Sequence, residues 1–255
     1  MKKVPSKIFS NVVVNIVLLI LLAGVFCAGF AFNPLSSVFD EDGYKPIYNG
    51  DKNYKNVSIM INVYGGTEFL PKILATLDEY NAKVTFFVGG CWVAKNNESF
   101  LQLVMAGHEI GNHGYFHKDH AKLDYEGNYN EIVVTHKVIR ELVGIEMDLF
   151  APPSGSFNNA TLKVAKGLNY STIMWSKDTI DWRDHDENKI YTRATKNLKN
   201  GDLILMHPTE QTANALARIL SFYKRNGFSA VTVSQNLKGD LTNNSENING
   251  EIHTI

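Results

Sequence analysis

Two histidines with three residues between them, His113 and His117 in HEIGNHGYFHKDH, can grip one divalent ion whether the backbone between them is a helical turn or a strand entering a loop. The spacing is weak evidence by itself. Four histidines (His108, His113, His117, His120) fall within thirteen residues and read equally as a polar surface loop. A second segment, WSKDTIDWRD, sets Asp178, Asp181 and Trp182 after an apolar run. A carboxylate there can orient a histidine and stabilise its imidazolium, as a general acid requires. Asp also begins turns readily, which is the competing reading. In GDLILMHPT, four apolar residues lead to His207, and Pro208 stops the run. A histidine tipping an apolar strand is often a satisfied core residue, and less often so when it shares a mouth with two more histidines and two aspartates.

Such residues act together only if the fold gathers them. Short β-branched or aromatic runs at 57–63, 83–88, 109–112, 148–150, 171–175, 202–206 and 230–233 read as strands. Amphipathic stretches at 68–80, 99–106, 130–143, 160–167, 188–198 and 214–226 read as the helices between them. The βαβα alternation predicts an α/β domain: a distorted (β/α) barrel of about seven parallel strands, whose chemistry belongs at the carboxyl ends of those strands. Asn62, His113 with His117, Asp178 with Asp181, and His207 all stand at such ends.

Lys2, Lys3 and Lys7 precede an apolar run over 12–32 interrupted only by Asn15. That is about 20 residues, enough for one N-terminal transmembrane helix, with the lysines holding the cytoplasmic side. The favoured reading is a retained anchor over 1–32. Cleavage after about Ala31, with Gly29 as the other small residue, would give a secreted protein instead. Residues 33–55 then read as a linker, 56–236 as the domain, and the Asn-, Gly- and Ser-rich 237–255 as a disordered tail. Beyond residue 32 the chain holds 22 basic and 26 acidic residues, which argues against a nucleic-acid partner. Only Cys27 and Cys91 are present, and with Cys27 in the apolar run no disulfide framework is available.

Five segments in order, MINVYGG, HGYFH, APPSG, DTIDW and LILMH, resemble the five motifs of the polysaccharide deacetylase family (NodB-homology domain, carbohydrate esterase family 4): TFDDG, HSxxH, RxPxG, DxxDW and LxLxH. The resemblance covers almost all of 56–236. It implies hydrolysis of a sugar N-acetyl group with a divalent metal, Zn²⁺ first, held by His113, His117 and a carboxylate. It also implies His207 as general acid with the aspartates of DTIDW as its partner, and Trp182, Leu205, Tyr64 and Pro153 against the substrate. The implied partner is an N-acetylated polysaccharide, peptidoglycan foremost, reached from the membrane.

The chain departs from that pattern at three positions. Asn62 stands where the family has its base, and Val63 where it has the carboxylate ligand. Ala151 replaces the arginine that pairs with the base. An amide accepts a hydrogen bond from water but cannot hold its proton, so general-base catalysis worth about 10²–10⁴-fold is expected to be lost. Losing the cation follows from losing the acid, because an unpaired buried arginine is costly. Two histidines would hold Zn²⁺ more weakly than three ligands, unless Glu68 or another acid moves in. Three readings therefore compete: a weak, membrane-attached deacetylase; a lapsed member that binds glycan through Tyr64, Tyr115, Phe157 and Trp182; and a structural ectodomain.

Overall fold

The computed structural model describes residues 44–239. The expected anchor over 1–32, the start of the linker and the tail beyond 239 lie outside the described residues. Among the described residues no helix is long and apolar enough to cross a membrane.

The elements alternate as the sequence pattern requires. They run β1 (Asn56–Val63), α1 (Leu70–Glu79), β2 (Thr85–Val88), α2 (Gly90–Lys95), α3 (Asn97–Met105), β3 (Glu109–Asn112), α4 (Tyr125–Val143), β4 (Leu149–Phe150) and α5 (Asn159–Gly167). The second half continues with β5 (Ser171–Thr172), β6 (Lys177–Asp178), α6 (Asp181–Asp184), α7 (Glu187–Thr195), β7 (Leu203–Met206), α8 (Glu210–Arg225), β8 (Ser229–Ala230) and α9 (Val233–Lys238). Every strand pairing is parallel, in the order β5-β4-β3-β2-β1-β7-β6, with β8 beside the start of β1. The sheet curls toward a barrel, and its end strands β5 and β6 do not pair with each other.

Strand β1 is buried along its whole length at the centre of this sheet. Its side chains alternate between two hydrophobic clusters. Val57, Ile59, Ile61 and Val63 join the outer cluster under the helices, with Ile73 and Leu77 of α1 and Leu216 and Ile219 of α8. Met60 joins the inner cluster with Phe87, Leu149, Ala151, Ile173, Leu203 and Val233. Asn62 shares the parity of Met60 and so faces the barrel interior at its carboxyl mouth. That places one amide where the pattern alone asks for another apolar side chain.

The strand expected over 171–175 shortens to Ser171–Thr172, the short elements α2, β6 and α6 are additional, and both limits of the domain shift. Part of the expected linker is tied into the domain: Ile47 N donates to Thr172 O at 2.8 Å, Gly50 N to Gly201 O at 2.7 Å and Asp51 N to Asn236 O at 2.9 Å. At the other end, the expected strand over 230–233 is two residues of β8 followed by α9, whose N-cap Thr232 accepts from Gln235 N. Leu237 of this helix packs on the inner cluster, so the ordered domain runs past 236. Together these segments close the amino end of the barrel, opposite the histidines.

The histidine-rich stretch is not a polar surface loop, for His108, His113 and His120 are all buried. His108 accepts from Val84 N at 3.4 Å and meets the Phe86 ring edge-on. Burial, with Lys83 nearby, pushes its pKa down to about 4. The unfolded chain therefore binds a proton that the folded one refuses, and stability is lost as pH falls from about 6.5 through about 4, by at most about 3 kcal/mol. His108→Gln should flatten this loss in urea titrations run across that pH window. An unchanged slope would show that other groups set the acid limit.

Candidate active site

The mouth is assembled from the ends of β1, β3 and β7 and the loop after β6. His113 directly follows β3 and is 1% exposed. Its Nδ1 lies 2.7 Å from Ala151 O. A carbonyl oxygen only accepts, so Nδ1 carries the hydrogen and Nε2 presents a lone pair, which has no partner. Burial, reinforced by His117, pushes the His113 pKa down to about 3, so the ring is neutral at physiological pH.

The turn to His117 is built from beneath. Asn112 accepts from Gly114 N at 2.9 Å, and buried Glu131 of α4 accepts from Tyr115 N at 2.9 Å and Phe116 N at 2.7 Å. Gly114 has φ +71°, and a Cβ there would come within 3.1 Å of His120 Nε2 and 3.3 Å of Glu131 Oε2. Only glycine fits that corner. His117 itself adopts φ +56°, and its ring centroid lies 5.1 Å from that of His113. Imidazoles sharing one ion at about 2.0 Å sit roughly that far apart. Burial also lowers the His117 pKa.

The third donor does not come. Val63 is fully buried in the outer cluster. Glu68 is exposed and accepts from Thr67 N at 2.9 Å, and its pKa is lowered first by its own backbone N–H and then by that of Thr67, so it serves its own loop. Among the described residues no group of three or more histidine, cysteine or acidic side chains is placed to hold a metal. His113 and His117 fit two corners of a metal site, and the residues present do not fit the three-ligand centre of a hydrolytic zinc.

The dyad at the other side of the mouth is complete. Asp181 is fully buried, and its carboxylate accepts from His207 Nδ1 at 2.8 Å, His207 N at 2.6 Å, Thr212 Oγ1 at 2.6 Å and Trp182 N at 2.9 Å. The His207 tautomer is thereby fixed, leaving Nε2 for chemistry. Asp178, expected to share this role, instead accepts from Ile180 N at 2.8 Å and shapes the turn. Thr212 and Glu131 are supports that sequence reasoning missed. Only the Thr209-x-x-Thr212 helix start and the lone acid on the apolar face of α4 signal them.

Ile180 has φ +54° and ψ +33°, a left-handed conformation that costs a β-branched residue about 1–3 kcal/mol. This turn swings Asp181, and not Asp178, under His207. Ile180→Gly should therefore leave stability within about 1 kcal/mol of the parent despite losing a half-buried side chain, as read by calorimetry. A loss beyond about 2 kcal/mol would mean that side-chain burial outweighs backbone relief.

Asn62 is 3% exposed and its Oδ1 has no partner. It neighbours His207 through the register of β1 and β7, in which Ile61 pairs with Met206. Tyr64 reaches over the mouth: its ring stacks on His117 at 3.7 Å and lies 6.2 Å from His113 and 6.5 Å from His207. Leu205, 3% exposed, shares the inward parity of Leu203, Pro153 is buried, and Trp182 is 54% exposed. A cavity of about 670 Å³ lies at the opposite end, beside Lys52, Lys177, Lys199 and Asp202, away from this chemistry.

A curled parallel α/β sheet with paired imidazoles after its third strand, and a histidine after its seventh held by a buried aspartate from the loop after its sixth, is the layout of a carbohydrate esterase of this kind. Residues 49–173 match the family model for polysaccharide deacetylase. The chain is 35% identical over 192 residues to the peptidoglycan-N-acetylglucosamine deacetylase of Bacillus cereus, covering 73% of this chain and 90% of that one. It is 38% identical over 191 residues to the uncharacterized protein YlxY of Bacillus subtilis, covering 75% of this chain and 60% of that protein. Among solved structures, a family 4 carbohydrate esterase pseudoenzyme from Bacillus anthracis superposes with a TM-score of 0.75 at 35% identity, covering 76% of this chain and 69% of that one. A mutant of that pseudoenzyme with restored enzymatic activity matches equally well, with a TM-score of 0.75 at 33% identity, covering 76% and 72%. The chain belongs to the polysaccharide deacetylase family.

Proposed function

We propose that this protein engages the N-acetylated glycan of the cell wall, peptidoglycan first, at the barrel mouth, and that its hydrolysis of the acetamide C–N bond is slow or lapsed. One observation carries the reading: Asn62, buried and with Oδ1 unpartnered, holds the place of the base beside an intact His207–Asp181 dyad.

The residues divide the work unevenly. His207, held by Asp181, can give a proton to a departing amine, whereas Asn62 can align a water without taking its proton. Trp182 and Tyr64 offer exposed ring faces to a sugar, and Leu205 with Pro153 line the floor where an acetyl group would sit. The two imidazoles alone would hold Zn²⁺ weakly, and none of these roles depends on it. Residues 1–32 anchor the chain in the membrane in this reading, with the domain outside the cytoplasm. The full chain should then pellet with membranes and be released by detergent but not by salt.

The functional test is acetate release by the full chain from N-acetylglucosamine oligomers with added Zn²⁺ or Co²⁺. Oligomer binding with turnover far below the usual 1–10³ s⁻¹ is expected. Turnover within that range would overturn the slow or lapsed reading.

A further inference from the structure

The mouth of this barrel offers acceptors with nothing to satisfy them. His113 Nε2 and Asn62 Oδ1 are both buried and unpartnered, and each is an acceptor: the first because Nδ1 donates to Ala151 O, the second as a carbonyl oxygen. Buried acceptors without donors are costly, and they mark a place where a donor-bearing ligand is missing. Position 151 is an alanine, and among the described residues no third ligand joins His113 and His117 to hold a metal that would answer an acetyl carbonyl. The buried carboxylate of Asp181 lies beneath His207 and already accepts from four donors.

An acetamido group suits such a site poorly. Its nitrogen brings one hydrogen for these two acceptors, and its carbonyl oxygen would compete for the mouth's own donors, the Asn62 Nδ2 and a protonated His207. A primary ammonium brings three donors and a positive charge, and no acceptor. Tyr64, which stands where TFDDG has its glycine, stacks one face on His117 at 3.7 Å and keeps the other open, with its ring 6.2 Å from His113; a cation within about 6 Å of such a ring is attracted to its face.

We propose that this site selects glycan that has already lost its acetyl groups, holding the 2-ammonium of a glucosamine unit between Asn62 Oδ1 and His113 Nε2 with Tyr64 above. The inference rests only on the part of that reading in which the mouth engages cell-wall glycan, and it changes the preferred form from the acetylated sugar to the amino sugar that its active relatives' chemistry leaves behind.

The test is calorimetric titration of the full chain, stripped of metal with EDTA, using a glucosamine tetramer and an N-acetylglucosamine tetramer at about pH 6. The amino form should bind at least about tenfold more tightly, and the preference should shrink as pH rises and the amine loses its charge. Asn62→Leu should erase the preference. Tyr64→Ala, at an exposed position that does not threaten folding, should weaken the amino form more than the acetylated one. Equal or tighter binding of the acetylated tetramer would overturn the inference and leave the glycan reading standing. Failure of both tetramers to bind at millimolar concentration would remove the glycan reading itself. A preference that survives both substitutions would overturn the placement of the ammonium.

Discussion

Asn62→Asp raises acetate release from N-acetylglucosamine oligomers at least about tenfold, from a near-zero start. General-base catalysis is worth about 10²–10⁴-fold, and a tenfold gain is the floor because the third metal ligand stays absent. The restored carboxylate would sit at the inner face of β1, buried and without its arginine, and burial without a cation raises a carboxylate pKa. Adding Ala151→Arg supplies the cation, and the structure sets its cost. Ala151 is fully buried in the inner cluster beside Met60 and Phe87, so the longer side chain must displace its neighbours at about 1–3 kcal/mol. The double variant is therefore expected to be less stable than the single one and more active at neutral pH. A single variant as inert as the parent, with its fold intact by circular dichroism, would show that the amide is not what limits turnover.

Asp181→Ala should cost about 3–5 kcal/mol in urea unfolding, a large share of a stability of about 5–15 kcal/mol. The four donors that converge on this carboxylate, two from His207 and one each from Trp182 and Thr212, would all be left in a dry site. Asp178→Ala is the control: it loses one bond to Ile180 N at a half-buried turn and should cost about 1 kcal/mol. Similar losses at the two positions would mean that the carboxylates share the role, as their sequence neighbourhood suggests.

The contrast shows what the sequence could and could not specify. His207 was legible because the apolar run of β7 delivers the residue after it to a predictable place, and His113 because it directly follows β3. The choice between Asp178 and Asp181 was not legible. It depends on Ile180 adopting a left-handed backbone that its residue type disfavours, and only the surrounding packing can impose that. The same limit hid Glu131 and Thr212, whose partners are backbone amides and a carboxylate far away in the chain. Sequence allows Glu68 a reach toward the metal because an exposed acid next to a motif has no visible competitor there; the backbone amides of Glu68 and Thr67 are the competitor. The segment at 44–55 read as a linker because a few isolated hydrogen bonds to a barrel floor leave no periodicity behind.

The bond between His113 and Ala151 has an evolutionary consequence. Its acceptor is main-chain carbonyl, so no replacement of the side chain at 151 can abolish it, and the imidazole stays aimed after the arginine has gone. Decay of the third motif therefore does not spread to the second. A lineage that loses its catalytic acid keeps a pre-oriented ring at no upkeep, ready either for a new ligand or for a reversal by a single codon.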